Sequence, residues 1–135
     1  MQGTPADMQL NPFYDNVSRE VNTFFDQKLK QLNSLGIKQV ILDPGFGFGK
    51  SIEHNYRLLS ELNEFKKHGV PLLVGISRKS MIYKLLKITP EEALPGTSAL
   101  HMLAILNGAD ILRVHDVKEA VQVIKLAETY MKAME

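Results

Sequence analysis

The chain of 135 residues has no cysteine, so neither a disulfide framework nor a thiolate metal site is available to it. That absence suits the cytoplasm, which is the expected compartment. An excess of charge of one sign is also missing: 16 Lys and Arg stand against 15 Asp and Glu, a formal net charge of +1. No broad field draws nucleic acid or anionic lipid, so any anion site must be local. Neither a nucleic-acid partner nor a membrane partner is expected. The apolar runs are all far shorter than the ~20 residues a bilayer span needs, and the opening MQGTPADM lacks the blocks of a signal peptide. No internal repeat, low-complexity tract or linker divides the sequence, which reads as one globular domain or a piece of one.

Three short runs rich in Val, Ile and Leu each stop abruptly in a polar cluster. Residues 40–42 run into DPGFGFGKS, 71–74 into GISRKS, and 111–112 into RVHDV. The runs lack polar alternation, as parallel strands buried on both faces do. Ligands in such folds sit at the carboxyl ends of the strands. Packing alone does not account for three such ends carrying carboxylate, lysine, arginine, histidine and a glycine-rich loop.

Between the runs the spacing is helical. Residues 15–35 place Val17, Val21, Phe24, Phe25, Leu29 and Leu32 at helical intervals, and Gly36 closes the stretch. A strand over 39–42 follows, then a helix over 52–68 with Leu58, Leu59, Leu62 and Phe65 on one face, ended by Gly69. After the strand at 71–74 come a short helix over 80–86 and a longer one to Asn107, with Thr89 as N-cap ahead of Pro90, Glu91 and Glu92. A strand over 110–114 and a helix over 117–134 complete the order α-β-α-β-α-β-α. This order fits an open α/β sheet or a section of a (β/α)8 TIM barrel. A whole barrel needs ~250 residues, and three strands do not close one. If the chain is a barrel sequence, the expectation is that roughly half of the barrel is absent and that the first residues are a loop entered midway.

The glycine-rich cluster resembles two phosphate loops and matches neither. Gly49, Lys50 and Ser51 fit the end of a Walker A loop, but its first glycine falls on Pro44; Gly45, Gly47 and Gly49 form GxGxG rather than GxGxxG. What remains is Asp43 at a strand end and two phenylalanines among glycines. Gly47 and its neighbours allow the backbone close to a planar ligand, and an exposed Phe48 or Phe46 can stack on it. The plainer alternative is that both rings cap the mouth of the fold. Asp43 either meets the ring N–H and amino groups of a heterocycle or serves as a turn carboxylate before Pro and Gly.

In the second cluster, continued extended geometry points Ser77 and Lys79 to one side and Arg78 to the other. Lys79 and Ser80 precede a predicted helix, a natural place for a carboxylate or phosphate, although a solvated basic turn is the bland reading of Arg78 and Lys79. In the third, Arg113 and His115 share a strand face and form an anion clamp, while Asp116 is read as a helix N-cap. His54, His68 and His101 lie on predicted helices and are read as structural. No histidine spacing suggests a metal site.

ILDPGFGFGKS with Asn55 downstream, LLVGISRKSM, LPGTSA, ILRVHDV and the opening MQGTP together resemble bacterial dihydropteroate synthase, over the carboxyl-terminal half of that family's (β/α)8 barrel. The resemblance implies the last three barrel strands and a reaction in which the amine of 4-aminobenzoate displaces pyrophosphate from (7,8-dihydropterin-6-yl)methyl diphosphate. It implies that Asp43 binds the pterin and that Lys79 lies between the two substrate pockets. Ser80 receives the aminobenzoate carboxylate, Phe48 packs beside its ring, and Arg113 and His115 bind the diphosphate. Gly47 and Ser77 join this substrate-binding set, with Lys79, Arg113 and His115 as its catalytic members. Magnesium belongs to the family reaction, with its protein ligand expected outside this chain. Further expectations are little or no activity from the chain alone and self-association through surfaces a complete barrel covers. The alternatives are the pterin-binding domain of a methyltetrahydrofolate methyltransferase and a noncatalytic structural subdomain.

Overall fold

The computed structural model describes residues 12–134. The opening loop expected around Gly3, Pro5 and Asn11, and the MQGTP motif, lie outside the described residues.

The first helix, α1, spans Val17–Ser34. Asn16 begins it by accepting the Arg19 N–H at 2.8 Å, and Glu20 reaches back to the Asp15 N–H at 2.9 Å, so both exposed donors are satisfied. Val17 and Phe25 enter the core; Phe24 does not and is 49% exposed. Gly36, with φ of 76°, follows the helix end as expected.

The expected strand over 39–42 reduces to one parallel bridge, Leu42 to Leu72. The Leu42 N–H donates to the Pro71 carbonyl at 2.9 Å, and the Leu73 N–H donates to the Leu42 carbonyl at 2.7 Å. The second strand, β1, is Leu73–Val74 and pairs in parallel with β2, Ile111–Leu112. All three segments thus lie side by side in chain order, in an α/β arrangement, although each is shorter than the sequence suggests. The middle segment is the most buried: Leu72 and Val74 are 1% and 0% exposed, whereas Ile41 beside the bridge is 54% exposed. Burial on both faces therefore fails for the outer segments, each of which has a neighbour on one side alone among the described residues.

The helix expected over 52–68 divides at Glu61. An α-helix, α2 (Ile52–Ser60), passes into a 3-10 helix over Leu62–His68, yet Leu58, Leu59, Leu62 and Phe65 all remain in the core. Gly69 ends the second piece at φ 66°. α3 spans Ser80–Leu86 as expected, and α4 spans Leu94–Leu106 after a short 3-10 turn at Glu91–Ala93. Thr89 does not cap α4; instead its N–H and hydroxyl both donate to the Glu92 carboxylate at 2.9 and 3.1 Å. α5, Val117–Lys132, packs on α4. Among the described residues no helix is long and apolar enough to cross a membrane.

The histidines read as structural are so placed. His54 forms a capping box with Ser51, and His68 Nε2 lies 2.9 Å from Asn22 Oδ1. His101 on α4 is buried, with no hydrogen-bond partner for Nε2 among the described residues. Burial holds its pKa below the ordinary 6.5, with Asp116 opposing. The unfolded chain therefore takes up a proton at higher pH than the folded chain, and the stability present above about 6.5 is lost as pH falls. His101→Leu is expected to flatten this acid limb and to raise stability at pH 5.5 by about 1 kcal/mol. Urea midpoints at pH 5.5 and 7.5 check it; an unchanged pH slope assigns the loss elsewhere, with His68, whose pKa burial also lowers, the next candidate.

Candidate functional site

Past Leu42 the chain leaves the ladder, and the backbone of the glycine-rich loop needs partners from side chains. Three residues supply them. Asn55, 2% exposed on α2, accepts the Gly47 N–H at 2.7 Å and donates to the Ser51 carbonyl at 2.6 Å. The Lys50 ammonium donates to the carbonyls of Gly45 at 2.9 Å and Phe48 at 3.2 Å. From the next strand end the Lys79 ammonium donates to the Phe46 carbonyl and sits 4.8 Å from the centre of the Phe48 ring. Gly47 is required where it stands: its φ is 84°, and a Cβ there meets the Lys79 stem at 3.3 Å.

The two phenylalanines divide. Phe46 is 1% exposed and belongs to the core, while Phe48 is 43% exposed on the loop surface. Asp43 takes the turn role weighed for it and also meets a cation that the sequence reading did not pair with it. Its Oδ1 accepts the Gly45 N–H at 2.9 Å as a turn carboxylate, and its Oδ2 faces Arg113 Nη2 at 3.3 Å.

At the second strand end the extended geometry stops. Arg78 has a left-handed φ of 51°, and its N–H donates to Thr97 Oγ1 at 3.0 Å. The turn nevertheless separates the side chains as expected. Ser77 and Lys79 line one cleft with Arg113 and His115, over Gly75. Arg78 turns away and grips Asp116 with two hydrogen bonds of 2.8 Å, while also donating to the carbonyls of Pro90 and Glu91. Two readings change here. Arg78 is a clamp rather than a solvated basic residue, and Asp116 makes no side-chain cap to α5 because its carboxylate is committed to Arg78. The guanidinium beside Asp116 lowers that carboxyl below its usual range.

Ser77, 4% exposed, accepts the His115 N–H at 3.3 Å and lies 2.9 Å from His115 Nδ1. Arg113 lies on the backbone of Gly75, where a Cβ meets Nη2 at 2.7 Å. A side chain at that position displaces the guanidinium. Ser80, the first residue of α3, lines a different cleft with Lys50, Ser51, Asn55 and Lys84. Phe48 and Asp43 line a third with Tyr14, Val21 and Phe24. Lys79 stands between, its stem on Gly47 and its ammonium at the loop.

Burial lowers the pKa of both lysines. Lys79 is pushed down by desolvation and then by Arg113, with Asp43 opposing. Lys50, 6% exposed, falls to about 8 through desolvation and the nearby Lys79, again against Asp43. Holding Lys50 charged below that pH costs roughly 3 kcal/mol. Sequence reasoning missed Lys50, Gly75 and the Arg78 clamp. A failed Walker match hid the first, and the other two depend on partners 38 positions away in the chain.

The model of the pterin binding enzyme family matches residues 1–115. Dihydropteroate synthase of Escherichia coli K12 is 48% identical, over 100% of this chain and 49% of that protein. The Yersinia pestis dihydropteroate synthase with a sulfonamide drug complex superposes with a TM-score of 0.95 at 44% identity, over 98% of this chain and 49% of that one. The Thermus thermophilus enzyme in complex with 4-aminobenzoate gives a TM-score of 0.87 at 40% identity, over 93% and 52%; it has also been solved in complex with 6HMPPP. The chain spans about half the length of the relatives it matches.

Asn55→Leu removes the side-chain acceptor of the Gly47 N–H and one of two donors to the Ser51 carbonyl, which keeps the backbone N–H of residue 55 at 3.1 Å. The expected cost is about 1–3 kcal/mol of folding stability, read from urea unfolding, with faster amide exchange confined first to the glycine loop. A change below about 0.5 kcal/mol shows that the loop is held without Asn55.

Proposed function

This chain belongs to the pterin binding enzyme family, and on that premise we propose that it is the carboxyl-terminal half of a dihydropteroate synthase barrel, supplying three of the eight strands. One observation carries the reading. Asp43, Lys79, Arg113 and His115 converge from the ends of three adjacent parallel segments, with Asp43 and Arg113 in contact and Lys79, Arg113 and His115 around one cleft.

In the proposed reaction the 4-aminobenzoate nitrogen attacks the methylene of (7,8-dihydropterin-6-yl)methyl diphosphate. A C–N bond forms, the C–O bond to the diphosphate breaks, and the amine releases a proton to solvent. Asp43 accepts hydrogen bonds from the pterin ring, and Arg113, which neutralises it in the free chain, turns to the diphosphate with His115. Ser77 orients that imidazole through Nδ1. Phe48 lies against the aminobenzoate ring, Gly47 lets the backbone approach it, Ser80 receives its carboxylate, and Lys79 sits between the two substrates. Rate enhancement then comes from alignment and from charge stabilisation on the leaving diphosphate, with no covalent enzyme intermediate. The cytoplasm is the proposed setting. Magnesium is part of the family reaction; the described residues hold no group of three or more His, Asp or Glu that fits a metal ion, and no step here passes through one.

The chain alone is expected to release little or no pyrophosphate from the two substrates. Adding the amino-terminal half of a matching synthase is expected to restore release that depends on 4-aminobenzoate, and Arg113→Met in the mixture to lower the rate by about 100-fold. Turnover by the isolated chain at the rate of a full-length enzyme overturns the half-barrel reading; a mixture that binds neither substrate overturns the assignment.

Apolar side chains along the open edge and outer helices support self-association. Ile41 is 54% exposed, and Leu103, Leu126 and Tyr130 on α4 and α5 are 46%, 64% and 55% exposed. Groups of this kind favour covering by another surface. Sedimentation velocity at micromolar concentration is expected to show a dimer or larger species, and a single compact monomer counts against it.

A further inference from the structure

Lys50 is the charged residue of the glycine cluster that the proposed reaction does not use. Its position is costly: the side chain is 6% exposed and the ammonium lies beside a second lysine. A buried charge so placed is worth keeping only where its hydrogen bonds do something an apolar side chain does not. Those bonds run to the carbonyls of Gly45 and Phe48, at the two sides of Gly47. With Asn55 on the Gly47 N–H and Lys79 on the Phe46 carbonyl, Lys50 completes the pinning of the loop. It also lines both the cleft of Asp43 and Phe48 and the cleft of Ser80.

We propose that Lys50 is a positioning residue of the ligand site, whose buried ammonium holds the Gly45 and Phe48 carbonyls so that Phe48 presents its ring to a planar aromatic ligand. The loop shape stands on this structure alone; naming the ligand as 4-aminobenzoate rests on the function proposed above. Because the pKa of this lysine is lowered to about 8, the hold weakens within an accessible pH range. The groups facing it are Lys79, which repels its proton, Asp43, which retains it, the Tyr14 ring at 5.9 Å, and Glu20 and Lys84 on the walls of the two clefts.

The test uses the 135-residue chain, labelled with 15N, as wild type, Lys50→Arg and Lys50→Met. In the wild type the amide shifts of Gly45, Gly47 and Gly49 are expected to move together with a midpoint near pH 8, the lowered pKa of Lys50, and 4-aminobenzoate to bind more weakly above it. Lys50→Arg, charged throughout, is expected to remove the transition and keep affinity within about threefold. Lys50→Met is expected to lose about tenfold in affinity at pH 7 and to exchange its loop amides faster. Persistence of the same transition in Lys50→Arg assigns it to Lys79 and overturns the proposal, as does wild-type loop protection in Lys50→Met. If Lys50→Met does not fold, the wild-type and Lys50→Arg titrations decide. A wild-type chain that does not bind 4-aminobenzoate speaks against the ligand, and the loop titration then decides the role of Lys50 by itself.

Discussion

Between Leu42 and α2 the backbone has no strand or helix to satisfy it, and the conformation of the glycine loop depends on meeting that requirement. Buried N–H and C=O groups left unpaired cost about 1–3 kcal/mol each. Asn55 takes the central N–H, and two lysines take three carbonyls. The choice of lysine has a consequence: a loop pinned by ammonium groups carries positive charge into a partly desolvated place. Neighbouring Arg113 adds to it, and Asp43 offsets it in part. A local cationic site thus arises in a chain whose net charge is +1.

The same economy of elements appears at the other two strand ends. Arg78 leaves the extended conformation to grip Asp116 and the carbonyls that precede α4, so three separate segments are tied through one guanidinium. Flanking it, Ser77 faces His115 while Lys79 faces the glycine loop. The clamp lies between the residues of the cleft rather than in it. Gly75 makes the remaining contribution by having no side chain, which leaves room for Arg113 to lie flat within reach of Asp43.

Strand pairing is thin by comparison. A single bridge and a two-residue ladder hold three segments, and the core beneath them comes mainly from helices, through Leu58, Leu62, Phe65, Met81 and Ile82. The outer segments are left partly uncovered, which is why Ile41 is exposed while Val74 is not.

Much was legible from local pattern. The helix at 17–34 followed from apolar spacing and its glycine stop, because helical contacts join residues three and four apart, and the helices at 80–86 and 117–132 lie at or within two residues of the expected bounds. The polar ends of the three runs are brought together by the fold: Ser77, Lys79, Arg113 and His115 line one cleft, and Asp43 meets Arg113. What the sequence left open were the matters decided between distant residues. That Asp43 faces Arg113 as well as its turn, that Asp116 holds Arg78 rather than capping a helix with its side chain, and that Phe48 rather than Phe46 is the exposed ring are settled by neighbours that folding brings in. Lys50 is the clearest case: on sequence it is the tail of a failed phosphate motif, and only the folded loop, by closing two carbonyls around its ammonium and excluding water, makes it part of the site.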